Sequence, residues 1–229
     1  MYKTVFIDLD DTLWDTRCNG KESMKEVYRD YRFDRFFPDF DSFYDVYYPN
    51  NIELWRKYRN GEITKEKLII DRLRFPLEPY MDCNEKFILS LNDDFLNRTT
   101  LRKKLVPYSK EILEYLKPNY NLFILSNGFK EVQYKKMDRA GISKYFDGII
   151  LSDEVGVNKP HPQIFHEAMK RAKSSYINTI MIGDSWDADI YGAKSVGIDQ
   201  IWLDLGIENK GDFESTHRIT SLLEIRNIL

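Results

Sequence analysis

Apolar positions in this chain follow two periods, and the switch between them divides it. Near the N-terminus, Lys3–Asp8 (KTVFID) is a short apolar run ending in acids. It reads as a buried strand that runs straight into a polar loop. From about Thr16 to Leu101 no such run occurs. Apolar residues there recur at helical spacing: Leu54, Trp55 and Tyr58; Leu68, Ile69 and Leu73; Phe87, Leu91 and Phe95. Asn60-Gly61 ends the first of these helices, and Thr64 is placed to cap the next. This block is predicted to be mostly helical.

Beyond Pro107, short apolar runs alternate with helical segments. The pattern predicts a helix over Glu111–Lys117, a strand over Leu122–Leu125, a helix over Glu131–Ala140 stopped by Gly141, and a strand over Gly148–Leu151. It continues with a helix over Gln163–Ala172, a strand over Thr179–Ile182, a helix over Asp187–Val196 stopped by Gly197, and a strand over Gln200–Leu203. Ser221–Leu229 reads as a closing helix. Strands alternating with helices of about a dozen residues indicate βαβ units and a parallel sheet. The expected fold class is α/β, a three-layer domain built from residues 1–15 and 102–229. An all-helical insert, 16–101, follows the first strand.

Hydrophobic residues make up 42% of the 229, enough to bury a core. Lys and Arg number 34 against 37 Asp and Glu, a net charge of −3. So even a balance gives no drive toward a nucleic-acid polymer or an anionic membrane. No apolar run approaches the roughly 20 residues that cross a bilayer. The first residues carry no secretory pattern, since Val5–Ile7 meets Asp8, Asp10 and Asp11 at once. Two cysteines, Cys18 and Cys83, and three histidines make a zinc site a poor expectation. The expected protein is soluble and cytoplasmic, a monomer or homodimer.

Ligands of an open parallel sheet bind beyond the carboxyl ends of its strands. Four segments put unusual polar residues there: Asp8-Leu9-Asp10-Asp11-Thr12, Ser126-Asn127-Gly128, Lys159-Pro160, and Gly183-Asp184-Ser185 with Asp189. In a strand, residues two apart such as Asp8 and Asp10 point to one side. Their carboxylates repel unless a cation or a shared proton intervenes. Asp184 brings a third acid from another strand, and hard oxygens in a small site favour Mg²⁺. A plain turn would explain Asp8 and Asp10 alone, but not the other three polar strand ends.

Ser126 and Asn127 offer neutral donors at a helix start, suited to a phosphoryl oxygen or to ordinary capping. Lys159 follows the loop Asp153-Glu154-Val155-Gly156; a lone loop lysine is normally solvated, and its weight here comes from its company. Asp189 is either a ligand or a helix cap, with Asp187 the competing cap.

Taken in order, FIDLDDTLWDT at 6–16, ILSNG at 124–128, VGVNKPHPQIF at 155–165 and IGDSWDADIYGAKSVG at 182–197 resemble the motifs of the haloacid dehalogenase-like hydrolase superfamily. LWRKYRNGEIT at 54–64, with SNGF at 126–129 and SDEVGVNKP at 152–160, is similar to its house-cleaning pyrimidine 5′-nucleotidases. The resemblance implies a Rossmann-like core with the insert as a helical cap that covers the strand ends. It implies Asp8 as nucleophile and Asp10 as general acid/base. Thr12 steadies the loop, Ser126, Asn127 and Lys159 bind phosphate with Gly128 beside them, and Asp189 supports. The same resemblance implies that Mg²⁺ would be held by a carboxylate oxygen of Asp8, the backbone carbonyl of Asp10, Asp184 and waters.

The implied reaction is Mg²⁺-dependent phosphomonoester hydrolysis through an aspartyl phosphate. Its substrate is a small phosphorylated metabolite, a nucleoside 5′-monophosphate first and a sugar phosphate or phosphoglycolate second. Proton donation by Asp10 requires a carboxyl that holds its proton near neutral pH. The superfamily's dehalogenases replace that second acid, which is present here. A catalytically silent binding subunit would have no need of Asp8, Asp10, Lys159 and Asp184 together. Tyr44, Tyr47, Tyr48, Trp55 and Tyr58 read as insert core or as a surface for a nucleobase. Trp14 and Phe129 read as pocket lining or as packing.

Overall fold

The structure, a computed structural model, describes residues 1–207 and 210–229. The chain forms two compact units: Met1–Thr16 with Lys103–Leu229, and Arg17–Arg102.

The first unit is built on a parallel sheet. Its strands are β1 (Thr4–Ile7), β2 (Asn121–Ser126), β3 (Gly148–Leu151), β4 (Thr179–Gly183), β5 (Asp199–Leu203) and β6 (His217–Ile219), in the order β3-β2-β1-β4-β5-β6. Every pairing is parallel, and β1 sits centrally, with Ile7 beside both Ile124 and Ile182. Alternate residues feed two cores. Val5, Ile7, Leu122, Ile124, Ile180 and Ile182 pack on one face, and Phe6, Phe123, Leu125 and Met181 on the other. A sheet covered on both faces needs apolar residues at successive positions, which is why these strands read as continuous runs. Each such side chain contributes about 1.5–3 kcal/mol by leaving water. Strand order reverses at β1, the point where α/β sheets bind ligands.

The helices are α1 (Thr16–Asp30), α2 (Phe40–Arg59), α3 (Lys65–Leu77), α4 (Glu85–Leu101), α5 (Ser109–Leu116), α6 (Lys130–Ala140), α7 (Ser152–Val155), α8 (Pro162–Arg171) and α9 (Gly192–Ser195). The all-helical reading of the insert holds, and Thr64 caps α3 by accepting from the Lys67 N–H (3.2 Å). The core of this second unit is aromatic. Phe33, Phe43, Tyr47 and Phe95 are buried, and Tyr44 and Tyr48 pack against them. Those three tyrosines are therefore core. Trp55 and Tyr58 pair edge to face at 5.8 Å and are partly exposed.

Three expectations need correction. The closing segment is a 3₁₀ helix over Leu222–Asn227, because Leu222 and Ile225, three apart, are what it buries. The segment after β4 starts as a π-helical turn, Trp186–Tyr191, before α9. The run Asp153-Glu154-Val155-Gly156, read as loop, falls largely within the single turn α7, which Gly156 ends at φ 86°. The sequence reading also missed β6, whose three residues bury only Ile219.

Candidate active site

The polar strand ends meet in the first unit, and Lys159 is their hub. Its side chain is 2% exposed, and its Nζ donates three hydrogen bonds: to Asp8 Oδ1 (2.6 Å), Asp189 Oδ1 (2.6 Å) and the Leu125 carbonyl (2.7 Å). Burial alone would strip its proton, but Asp189 and Asp8 outweigh that and hold the ammonium well above the usual lysine range. Asn127 fixes the backbone from which Lys159 projects. Its Oδ1 accepts from the Lys159 N–H (2.7 Å) and its Nδ2 donates to the Lys159 carbonyl (2.9 Å). The Asn127 side chain, expected to bind phosphate, is committed instead to positioning Lys159.

Carboxylate oxygens of Asp8, Asp184 and Asp189 lie within 4.8 Å of one another. Three carboxylates against one ammonium leave an excess of negative charge. Burial pushes Asp8 up to about 7 against the pull of Lys159, with Asp189 and Asp10 adding to the rise. Burial, then Asp8 and Asp189, raise Asp184 well above the usual carboxylate range. That excess is what a divalent cation would neutralise, and the all-oxygen donor set suits Mg²⁺. Asp8 and Asp184 fit as its ligands. Asp189 is otherwise engaged, with Oδ1 on Lys159 and Oδ2 accepting from the Ser185 N–H (3.2 Å).

Local sequence explains the placement. Thr12 Oγ1 donates to Asp184 Oδ1 (3.0 Å) and accepts from the Asp184 N–H (3.0 Å), tying the β1 loop to the β4 loop. Asp189 packs so closely on Gly183 that a Cβ there would lie 2.2 Å from its Oδ2. The cap of the turn is Ser185, which accepts from the Ala188 N–H (3.4 Å), so neither Asp187 nor Asp189 caps it.

Asp10 turns to different partners. Its Oδ1 accepts from Thr16 Oγ1 (2.6 Å) and Lys136 Nζ (2.6 Å), and its Oδ2 from Gln133 Nε2 (2.6 Å). Burial would raise this carboxyl, but Lys136, Thr16 and Gln133 together hold it below the usual range. The sequence reading required a protonated Asp10; the structure holds it ionised. The cation that lets Asp10 sit near Asp8 is Lys136. Gln133 Nε2 also donates to Ser126 Oγ (2.7 Å), which accepts from the Gly128 N–H (3.1 Å) as well.

Sequence reasoning missed Gln133 and Lys136, because KEVQYKKMDRA reads as a solvated charged helix. One signal was present: Gln133 and Lys136 share the buried face of α6 with Val132, Met137 and Ala140, at helical spacing. Trp14 and Phe129 are buried, and Lys136 Nζ lies 4.5 Å from the Trp14 ring centre.

The arrangement offers a carboxylate beside an ammonium, a second carboxylate at a separate donor cluster, and a hydroxyl, Ser126, joined to that second carboxylate through Gln133. These parts suit attack on an anionic, electrophilic centre such as phosphorus.

The pattern defining the haloacid dehalogenase-like hydrolases matches residues 2–197, and the chain belongs to that family. It is 28% identical over 232 residues to the pyrimidine 5′-nucleotidase YjjG of Escherichia coli, covering 98% of this chain and 96% of that one. It is 30% identical over 207 residues to a glyceraldehyde 3-phosphate phosphatase of Pyrococcus abyssi, covering 90% and 83%. Its fold matches the magnesium-bound putative HAD-hydrolase YfnB of Bacillus subtilis with a TM-score of 0.88 at 25% identity, over 100% and 98% of the two chains. No described helix is long and apolar enough to cross a membrane.

Proposed function

We propose that this haloacid dehalogenase-like hydrolase is a Mg²⁺-dependent phosphomonoesterase that carries the phosphoryl group on Asp8. The observation that carries the reading is the Lys159 ammonium, 2.6 Å from both Asp8 and Asp189 in a buried cluster that also holds Asp184.

Lys159 holds Asp8 Oδ1, and Oδ2 attacks phosphorus. The ester P–O bond breaks, and the leaving oxygen takes a proton from Asp10. Water then attacks the phosphorus of the acyl phosphate and gives its proton to Asp10. The bond from phosphorus to Asp8 breaks, restoring the carboxylate and releasing inorganic phosphate. Asp10 as held here is set as the base of the second half. For the first half it must take up a proton, which the approach of a phosphate dianion favours by raising its proton affinity. Ser126 accepts from both Gly128 and Gln133, which leaves its own proton for a phosphoryl oxygen. Mg²⁺, held by Asp8, Asp184 and the Asp10 carbonyl, would offset the charge of nucleophile and substrate.

The presence of Asp10 favours an ester over a haloacid, since halide leaves without a proton. A nucleoside 5′-monophosphate is the first substrate class, supported by the likeness to the E. coli pyrimidine nucleotidase. A small sugar or triose phosphate is the second, supported by the Pyrococcus relative. The test is phosphate release with and without Mg²⁺ from p-nitrophenyl phosphate, then from pyrimidine and purine 5′-monophosphates and sugar phosphates. Release from pyrimidine monophosphates above all others supports the first class. No Mg²⁺-dependent release from any ester by folded protein rejects the proposal.

A further inference from the structure

We infer that Gln133 and Lys136 are positioning residues that hold the Asp10 carboxylate in register with Ser126, so that proton transfer and phosphoryl binding are aligned from one helix, α6. The inference rests on the proposed role of Asp10 and extends it to residues outside the four motifs.

Three observations carry it. First, the two residues together occupy both oxygens of Asp10: Lys136 Nζ on Oδ1 and Gln133 Nε2 on Oδ2, each at 2.6 Å. Thr16 Oγ1 shares Oδ1 with Lys136 at 2.6 Å, so donors on both oxygens fix the plane of the carboxylate, with Gln133 holding Oδ2 and Lys136 supplying the cation. Second, Gln133 Nε2 also donates to Ser126 Oγ at 2.7 Å, so one amide nitrogen sets the spacing between the proton-transfer group and the hydroxyl on the phosphoryl side. Third, both side chains are immobilised. Gln133 is buried so tightly that a Cβ on Gly128 would fall 2.2 Å from its Nε2. The Lys136 side chain is 7% exposed, its ammonium 4.5 Å from the buried Trp14 ring centre. A surface lysine forming a chance ion pair has none of these restraints. Gln133 and Lys136 are three apart on one helix, so a single rigid element sets both contacts.

The consequence is selective. Loss of Lys136 leaves Asp8, Lys159, Asp184 and Ser126 in place and loosens Asp10, whereas loss of Gln133 loosens Asp10 and also frees the Ser126 hydroxyl. Alkyl esters need a proton on the leaving oxygen, whereas p-nitrophenolate departs without one near neutral pH. A misplaced acid costs on the order of 10²-fold in rate.

The experiment compares Lys136→Met and Gln133→Met with wild type on p-nitrophenyl phosphate and on a nucleoside 5′-monophosphate, with crystal structures of both variants. For Lys136→Met the alkyl-ester kcat is expected to fall about 10- to 100-fold with KM little changed, while the p-nitrophenyl ester loses about 3-fold or less; Gln133→Met is expected to add a rise in KM for both esters, because Ser126 loses a donor. Lys136→Arg, which keeps the charge, is expected to recover most of the alkyl-ester rate. The crystal structures are expected to show the Asp10 carboxylate rotated away from Ser126. Equal losses on both esters in Lys136→Met, or an Asp10 unmoved in both variants, overturn the inference. Wild-type protein inactive on both esters rejects the proposed function instead, and the position of Asp10 in the variants then decides the inference alone.

Discussion

Asn127 grips Lys159 at both ends of its backbone, accepting from the N–H at 2.7 Å and donating to the carbonyl at 2.9 Å. The two residues lie 32 apart in the chain, at the ends of neighbouring strand-and-turn segments. This clamp makes the loop lysine a fixed part of the site.

Asn127→Ala removes both bonds. Each net hydrogen bond is worth about 0.5–1.5 kcal/mol, so a loss of roughly 1–3 kcal/mol is expected in urea denaturation. Turnover is expected to fall by on the order of 10²-fold, because the Lys159 ammonium loses its fixed origin. Wild-type turnover in a destabilised variant would show that Lys159 needs no clamp.

Asp10→Asn keeps the shape of the side chain and removes its proton chemistry. Hydrolysis of a nucleoside monophosphate is expected to fall about 10²- to 10⁴-fold, the usual worth of general acid–base catalysis. Steady-state kinetics check this, and an unchanged rate would remove Asp10 from the mechanism.

Gly183 is a position where only hydrogen fits, since a Cβ would meet Asp189 Oδ2 at 2.2 Å. Gly183→Ala is expected to cost about 1–3 kcal/mol by overpacking. Because Asp189 must move, its bond to Lys159 should break, and kcat should fall with stability. Thermal melts and kinetics on one preparation test both parts.

In the helical unit, hydrogen bonds from Arg29 and then Arg98 hold Asp30 down to about 2. A carboxylate lowered in the folded state adds stability above its unfolded value near 4, and that gain is lost as pH falls toward 2. Asp30→Asn should therefore be less stable than wild type at neutral pH, by a small amount because the group is solvent-exposed, and the gap should shrink progressively as pH falls from about 4 toward 2. Denaturation at pH 7, 4 and 2.5 measures it. A gap at pH 2.5 as large as that at pH 7 contradicts the assignment.

Much of the first unit is legible in sequence because its strands are buried on both faces. Val5–Ile7, Leu122–Leu125 and Thr179–Ile182 stand out as apolar runs, and each ends in residues of the site. Where that contrast is missing the reading fails or is partial: β6 goes unseen, and the closing segment is read as a helix without its 3₁₀ winding. β6 buries one residue, and the closing 3₁₀ helix has only two buried side chains to mark it. Helix α2 runs through Pro49, which costs a helix about 3 kcal/mol. Burial of Phe43, Tyr47 and Leu54 along it is what offsets that cost.

At the site, Asp8, Lys159 and Asp184 were legible as a set, because a turn or a solvated loop explains each alone but not all of them together at the polar ends of one sheet. Gln133 and Lys136 were not, because polar residues on a helix are ordinary until a partner turns them inward. Asn127 was legible as a residue but not as a clamp. Its bonds go to a backbone 32 residues on, which only the fold brings near.

The central claim is tested by acid-quenching the protein during turnover of a phosphate monoester with Mg²⁺ and mapping the phosphoryl group by peptide mass spectrometry. The account predicts a phosphorylated Asp8, absent in Asp8→Asn, which should also fail to turn over. Continued hydrolysis by Asp8→Asn, or the phosphoryl group on another residue, would contradict it.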